Sequence, residues 1–195
     1  MIDVRRYNKL KEKCSKYSSW AIWKDAGEKP KSNTDDLSVF DDDLNICEKL
    51  NDKYVFVGLN VSRTPENEPW RNFHSGDSHQ NDFKLRYALK DTKFWGSYIT
   101  DIIKDYPKKE GSDVQKYLKN NPQVVKDNIQ TFKKELNLLS DKKPILIAMG
   151  DASHKILQNN LADEYGRIYH ITHYSSYISK EKYRERVLSQ LEDVE

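Results

Sequence analysis

Residues 53–60 read KYVFVGLN, and this stretch decides the fold class. Tyr54, Val55, Phe56 and Val57 follow one another without the apolar/polar alternation of a half-exposed strand. The run therefore predicts a strand buried on both faces, whose carboxyl end opens into a loop at Gly58 and Asn60. Residues 144–150 (PILIAMG) repeat the pattern, residues 167–172 form a third such run, and residues 95–103 (WGSYITDII) form a short one after Gly96. Helical spacing fills the intervals. Residues 81–90 predict a helix with Phe83, Tyr87 and Leu85 inward. Residues 121–139 predict another, with Pro122 in its first turn and Val125, Ile129, Phe132, Leu136 and Leu139 on one face. Residues 152–160 follow a cap at Asp151, and residues 179–190 close the chain from a capping-box-like start at Ser179, without the usual acid at Lys182. Strands alternating with helices predict a three-layer α/β/α sandwich with a mostly parallel central sheet and ligands outside the carboxyl ends of its strands. Asn60, Asp101, Gly150 and His173 all fall at such ends.

Upstream, Val4, Tyr7, Leu10, Cys14 and Tyr17 recur at helical spacing over residues 3–18, in a helix expected to end near Trp20. Residues 26–36 read as loop and residues 42–50 as a second helix. The expectation is one domain over residues 1–195, with residues 1–50 a helical extension packed on it. A charged content of 33% and a mean hydropathy of −0.92 look polar, but 12 Tyr, 6 Phe and 4 Trp are foreign to disordered chains and predict an aromatic-rich core. No apolar run is long enough to span a bilayer, and residues 1–8 lack the apolar stretch of a signal peptide. Cys14 and Cys47 suit a reducing compartment, and two cysteines exclude an all-cysteine iron–sulfur cluster. A cytoplasmic monomer without cofactor, not bound to membrane, is expected. The net charge of +2 decides nothing about partners until the basic residues are placed.

Four segments in order resemble the uracil-DNA glycosylase superfamily. Gly58-Leu59-Asn60 resembles the Gly-x-Asn of its mismatch-specific thymine/uracil branch, at the end of the first central strand. Gly96-Ser97-Tyr98-Ile99-Thr100-Asp101 resembles the strand carrying a base-reading residue. Residues 145–150 are similar to its third element, and His173-Tyr174-Ser175 resembles the terminal His-Pro-Ser. The resemblance covers residues 53–177. It implies cleavage of an N-glycosidic bond after the altered nucleotide, uracil or a related base, is flipped out of DNA. Asn60 would position the water and His173 would donate to the departing base. Gly58, Asp101, Ser175 and a stacking Phe73, with Trp70 and Trp95 as alternatives, would bind the base. Ser62, Arg63, Arg71 and Ser176 would meet phosphates of single- or double-stranded DNA. The chain departs from the family at three places: Val61-Ser62 follows Asn60 where Pro is usual, Tyr174 replaces the Pro of the terminal motif, and Asp101 stands where a uracil enzyme carries Asn. An ionised carboxylate only accepts hydrogen bonds, which suits an amino group better than the O4 carbonyl of uracil.

Plainer readings accompany each residue. Asn60 also suits an ordinary strand-to-turn ending, His173 a structural histidine, and Asp101 the cap of a helix starting at Ile102. His74 and His79 lack a third metal ligand at recognisable spacing. Residues 19–23 (SWAIW) suit a packing seam better than a stacking platform, and Lys108-Lys109 suits a solvated turn. Tyr177, Tyr183 and Val187 share helical spacing and are expected in the core. The alternative to a glycosylase is a non-catalytic nucleic-acid or nucleotide-binding module of the same fold.

Overall fold

A computed structural model describes residues 1–62, 68–77, 79–108 and 110–195. The elements run α1 (Val4–Lys13), β1 (Ser18–Trp20), a 3-10 turn (Leu37–Phe40), α2 (Asp43–Lys49), β2 (Asn51–Asn60), α3 (Asp82–Leu89) and β3 (Ser97–Ile103). There follow α4 (Gly111–Asn120), α5 (Pro122–Leu139), β4 (Ile145–Met149), α6 (Asp151–Tyr165), β5 (Tyr169–Ile171) and α7 (Lys180–Gln190). The five strands form one sheet in the order β1-β3-β2-β4-β5, parallel throughout except for β1, which runs antiparallel to β3.

Alternation along the strands divides the core in two, because successive side chains of a strand point to opposite faces. Val55, Val57, Tyr98, Ile102, Leu146 and Ala148 pack on one face with residues of α1, α2, α4, α5 and α6. Tyr54, Phe56, Ile99, Ile147 and Met149 pack on the other with Leu85 and Leu89 of α3 and Tyr183 and Val187 of α7. An α/β fold with helices on both faces of a mostly parallel sheet is thus what the buried runs at 54–57 and 145–149 predict. Among the described residues no helix is long and apolar enough to cross a membrane.

Several local expectations need correction. The first helix stops at Lys13, and Ser18, Ser19 and Trp20 pair with Thr100, Ile99 and Tyr98. The first 50 residues therefore supply a sheet strand as well as helices, and Trp20 is fully buried among Tyr7, Trp70 and Tyr98. On α3, Leu85, Ala88 and Leu89 face inward, Phe83 is half-buried and Tyr87 is exposed, because the helix packs along α7. Residues 111–120, left without an element by the sequence reading, form α4 with Val114 and Leu118 buried. The N-cap of α6 is Gly150, with Asp151 one place inside the helix. Tyr177 lies in the loop before α7 and is fully exposed, whereas Tyr183 and Val187 are core.

Candidate functional site

The chain leaves β2 to one side for β3 and returns to the other side for β4, so the strand order reverses at β2. A crevice outside the carboxyl ends of parallel strands is expected at such a reversal. A cleft of about 460 Å3 opens there. Asn60, Ser62, Phe73, Asp101, His173, Tyr174 and Ser175 line it, with the first turn of α6 and part of α4. That volume lies within the range of small-ligand pockets, roughly 300–1,000 Å3.

Asp101 is the fifth residue of β3, a strand buried along its whole length, and is itself 4% exposed, a placement a carboxyl tolerates only where it finds a partner. It pairs in register with Gly58 of β2. A Cβ at Gly58 would stand 2.2 Å from its Oδ1, so the glycine makes the space that the carboxyl occupies. Asn72 Nδ2 donates to Oδ2 at 3.0 Å and to the carbonyl of Tyr17 at 2.7 Å, which uses both amide protons and fixes the amide's orientation. Among the described residues no hydrogen bond reaches Oδ1 and no cation pairs with the carboxylate. Lys104 instead donates to the Asp101 main-chain carbonyl and pairs with Glu135 Oε2 at 2.7 Å. Burial pushes the Asp101 pKa up to about 7, with Asn72 and Lys104 pulling the other way and Glu135 and Asp82 adding to the rise. Near neutral pH the carboxyl is therefore divided between acid and carboxylate. The reading of Asp101 as the cap of a helix is corrected, since residue 101 lies inside β3 and no helix starts at Ile102.

His173 follows β5 and stacks on Tyr174 with ring centroids 4.4 Å apart. Gly150, at φ 91°, passes beneath it; a Cβ there would lie 3.3 Å from His173 Cβ and be strained as well. The Ser175 main-chain N–H donates to Nδ1 at 3.2 Å, and the Ser175 hydroxyl lies 2.7 Å from the same nitrogen. An N–H can only donate, so Nδ1 is the acceptor and the ring proton sits on Nε2. Burial lowers the His173 pKa to about 4 and keeps the ring neutral near pH 7. Asn60 is oriented in the same way. Its Nδ2 donates to the carbonyls of Lys108 (2.7 Å), Val61 (3.0 Å) and Tyr106 (3.4 Å), so Oδ1 is the acceptor left over, with no hydrogen bond among the described residues.

One wall of the cleft comes from the loop between β2 and α3. Trp70 and Phe73 both take φ 66°, a left-handed conformation that costs a bulky residue on the order of 1–3 kcal/mol. Buried contacts hold them there. Trp70 Nε1 donates to Tyr7 Oη (2.9 Å), Trp23 Nε1 to the Phe73 carbonyl (3.1 Å), and Ser19 Oγ to the Trp70 carbonyl (2.8 Å). His74 Nε2 donates to the Ile22 carbonyl at 2.9 Å, and burial lowers the His74 pKa to about 4, so this histidine pins the loop. The Trp20–Trp23 segment is thus the seam against which the loop sets, and the Phe73 ring meets Tyr174 edge-on at the cleft.

The structure brings Asn60, Ser62, Phe73, Asp101, His173 and Ser175 to one cleft, with Gly58 shaping the Asp101 pocket. Arg71 lies in an adjoining hollow, paired with Glu68 and donating to the Asp35 carbonyl at 3.1 Å. Ser176 turns inward: its hydroxyl is buried and, among the described residues, without a partner, and its carbonyl accepts from Lys84 Nζ at 2.9 Å, which anchors the loop after β5 from behind. Arg63 lies outside the described residues. His79 is exposed beside Asp77. Sequence reasoning missed Asn72 and the wall supplied by α4; no motif marks the first, while the spacing of Val114, Tyr117 and Leu118 would have revealed the second. No family model, curated protein or solved structure matches this chain.

Proposed function

We propose that this chain is a DNA N-glycosylase of the uracil-DNA glycosylase type, which turns an altered base out of the helix into the cleft and hydrolyses its N-glycosidic bond. The observation that carries the reading is the meeting of Asn60, Asp101, Phe73 and His173 in one cleft, in fitting hydrogen-bonding states. As the bond breaks, the sugar becomes cationic and the departing base anionic. The neutral imidazole has its proton on Nε2 and can donate to that base, and a donor aimed at developing negative charge is worth about 100- to 1,000-fold in rate. Asn60 Oδ1 can accept from a water and orient it towards the sugar, although an amide deprotonates nothing, which suits a slow or selective enzyme. Phe73 and Tyr174 offer the base an aromatic wall, worth roughly 1–3 kcal/mol where a base stacks on it. Ser62 and Ser175 remain at the mouth for phosphate contact, so affinity should fall with added salt.

The test is a panel of single- and double-stranded oligonucleotides, each with one altered base, incubated with the protein and then cleaved by alkali at abasic sites. Excision of at least one base, lowered about 100- to 1,000-fold by His173→Ala with binding retained, is the expected result. Salt-sensitive binding without excision would identify a non-catalytic nucleic-acid-binding module instead. Absence of binding at low salt would remove DNA as the ligand.

A further inference from the structure

Asp101 meets the cleft with one oxygen committed and the other open. Oδ2 accepts from Asn72, whose amide is fixed by the Tyr17 carbonyl; Oδ1 lies over Gly58 without a hydrogen bond among the described residues. When the carboxyl takes up a proton, Oδ2 stays the acceptor for Asn72 and the proton goes to Oδ1, the oxygen turned to the ligand. The neutral acid then presents an O–H donor to the cleft, and the carboxylate presents a bare acceptor. We propose that Asp101 reads the class of base by its protonation state, donating from Oδ1 to a ring keto group when neutral and accepting at Oδ1 from an exocyclic amino group when ionised, so that the preferred substrate changes with pH. The proposal rests on the glycosylase reading of the cleft and names the regulation of its base choice.

The surroundings favour such a switch near neutrality. The register partner of Asp101 on β2 is Gly58, which carries no titratable side chain, and the β4 residue beside Gly58 is the apolar Met149. Glu135 of α5 and Asp82 of α3 disfavour the carboxylate, Lys104 of β3's end favours it while paired with Glu135, and burial dominates, placing the group at about 7. Tyr174 is held neutral, its pKa raised by burial first and then by Asp82 and Asp101. His173, at about 4, does not titrate in the same range, so its donor role is constant across it.

Matched pairs that exchange a keto group and its neighbouring ring N–H for an amino group and a bare ring nitrogen, uracil against cytosine and hypoxanthine against adenine, test the effect. Excision of each from otherwise identical oligonucleotides is measured from about pH 5.5 to about pH 8.5, beside binding of deoxyuridine and deoxycytidine monophosphates by calorimetry. The expected result is a keto-to-amino ratio that falls about tenfold or more with rising pH, half-changed near neutrality, in excision, binding or both. In Asp101→Asn the amide oxygen accepts from Asn72 and its NH2 faces the cleft as a permanent donor, so the ratio should stay high and independent of pH. Excision at a ratio that does not vary with pH in the parent protein would overturn the proposal and leave the glycosylase reading intact. If nothing is excised, a pH-dependent binding ratio supports the proposal without catalysis, and a constant one, or no nucleotide binding, overturns it.

Discussion

Asp101 and Gly58 are register partners, and the chemistry of the first depends on the second having no side chain. A methyl at position 58 would stand 2.2 Å from Oδ1 and 3.6 Å from Met149 Cε. A carboxyl terminus can rotate away from a clash, but here Asn72 holds Oδ2 and the site is buried. Gly58→Ala is therefore expected to cost about 1–3 kcal/mol by overpacking and to turn Oδ1 from its place. The urea midpoint, read at unchanged slope, and the Asp101 side-chain carbon resonance check this together. A variant of parental stability with an unmoved resonance would show that Gly58 does not confine the carboxyl. Motif reading finds both residues, because a glycine and an acid each interrupt the apolar run of a buried strand. It does not find Asn72, whose importance lies in one hydrogen bond across 29 positions of sequence, or the protonation state of Asp101, which burial sets.

At the scale of elements, α5 is tied to β3 by charges that the sequence hides in ordinary helical and strand patterns. Glu135 Oε1 accepts from Thr100 Oγ1 (2.9 Å) and lies 2.8 Å from Tyr98 Oη, while Lys104 Nζ reaches Glu135 Oε2, Thr100 Oγ1 and the Asp101 carbonyl. The Lys104 and Glu135 side chains are 8% and 3% exposed, so neither can exchange its partner for water. Removing one partner of a buried pair is far costlier than removing both. Lys104→Met should destabilise by about 3–5 kcal/mol, and adding Glu135→Leu should return much of that loss. Equilibrium unfolding of the two single variants and the double variant measures the coupling, and strictly additive losses would contradict it. What was legible in the sequence follows the same division. β2 and β4 announce themselves because burial on both faces demands unbroken apolar runs. β1 does not, since three residues carry no period and Ser18, Ser19 and Trp20 become a strand only by pairing with β3. The inward face of α3 was misread for a related reason: Lys84 and Arg86 are buried with their charged ends on the carbonyls of Ser176, Lys24 and Pro30, so polarity along this helix does not report exposure.

Across the whole molecule, the three groups that shape and support the cleft oppose one another in their effect on stability. His74 and His173, ordinarily near 6.5, are lowered to about 4 by burial, so their contribution is complete above pH 6.5 and is lost as pH falls towards 4. Asp101, ordinarily 3.8, is raised to about 7, so its contribution is complete below about pH 4 and is lost as pH rises through 7. Between about pH 4 and 6.5 the unfolded chain binds protons on two histidines that the fold refuses, while the fold keeps one proton that the unfolded Asp101 has released. The histidines win by about one proton, and stability rises with pH there by roughly 1.4 kcal/mol per unit. From about 6.5 the histidines of the unfolded chain and Asp101 of the folded one release their protons together, and the two effects cancel by about pH 7. Stability should therefore level off near pH 7, where surface carboxylates such as Asp25, Asp36 and Glu164, lowered by their partners, are ionised in both states. Asp101 is, among the described residues of the cleft, the group that runs against the histidines, so the Asp101→Asn profile should climb to pH 6.5 about twice as steeply, by roughly 2.7 kcal/mol per unit, and then run level. Urea midpoints of the two proteins over this range decide the matter: equal slopes below pH 6.5 would mean that some group other than the cleft carboxyl holds the proton.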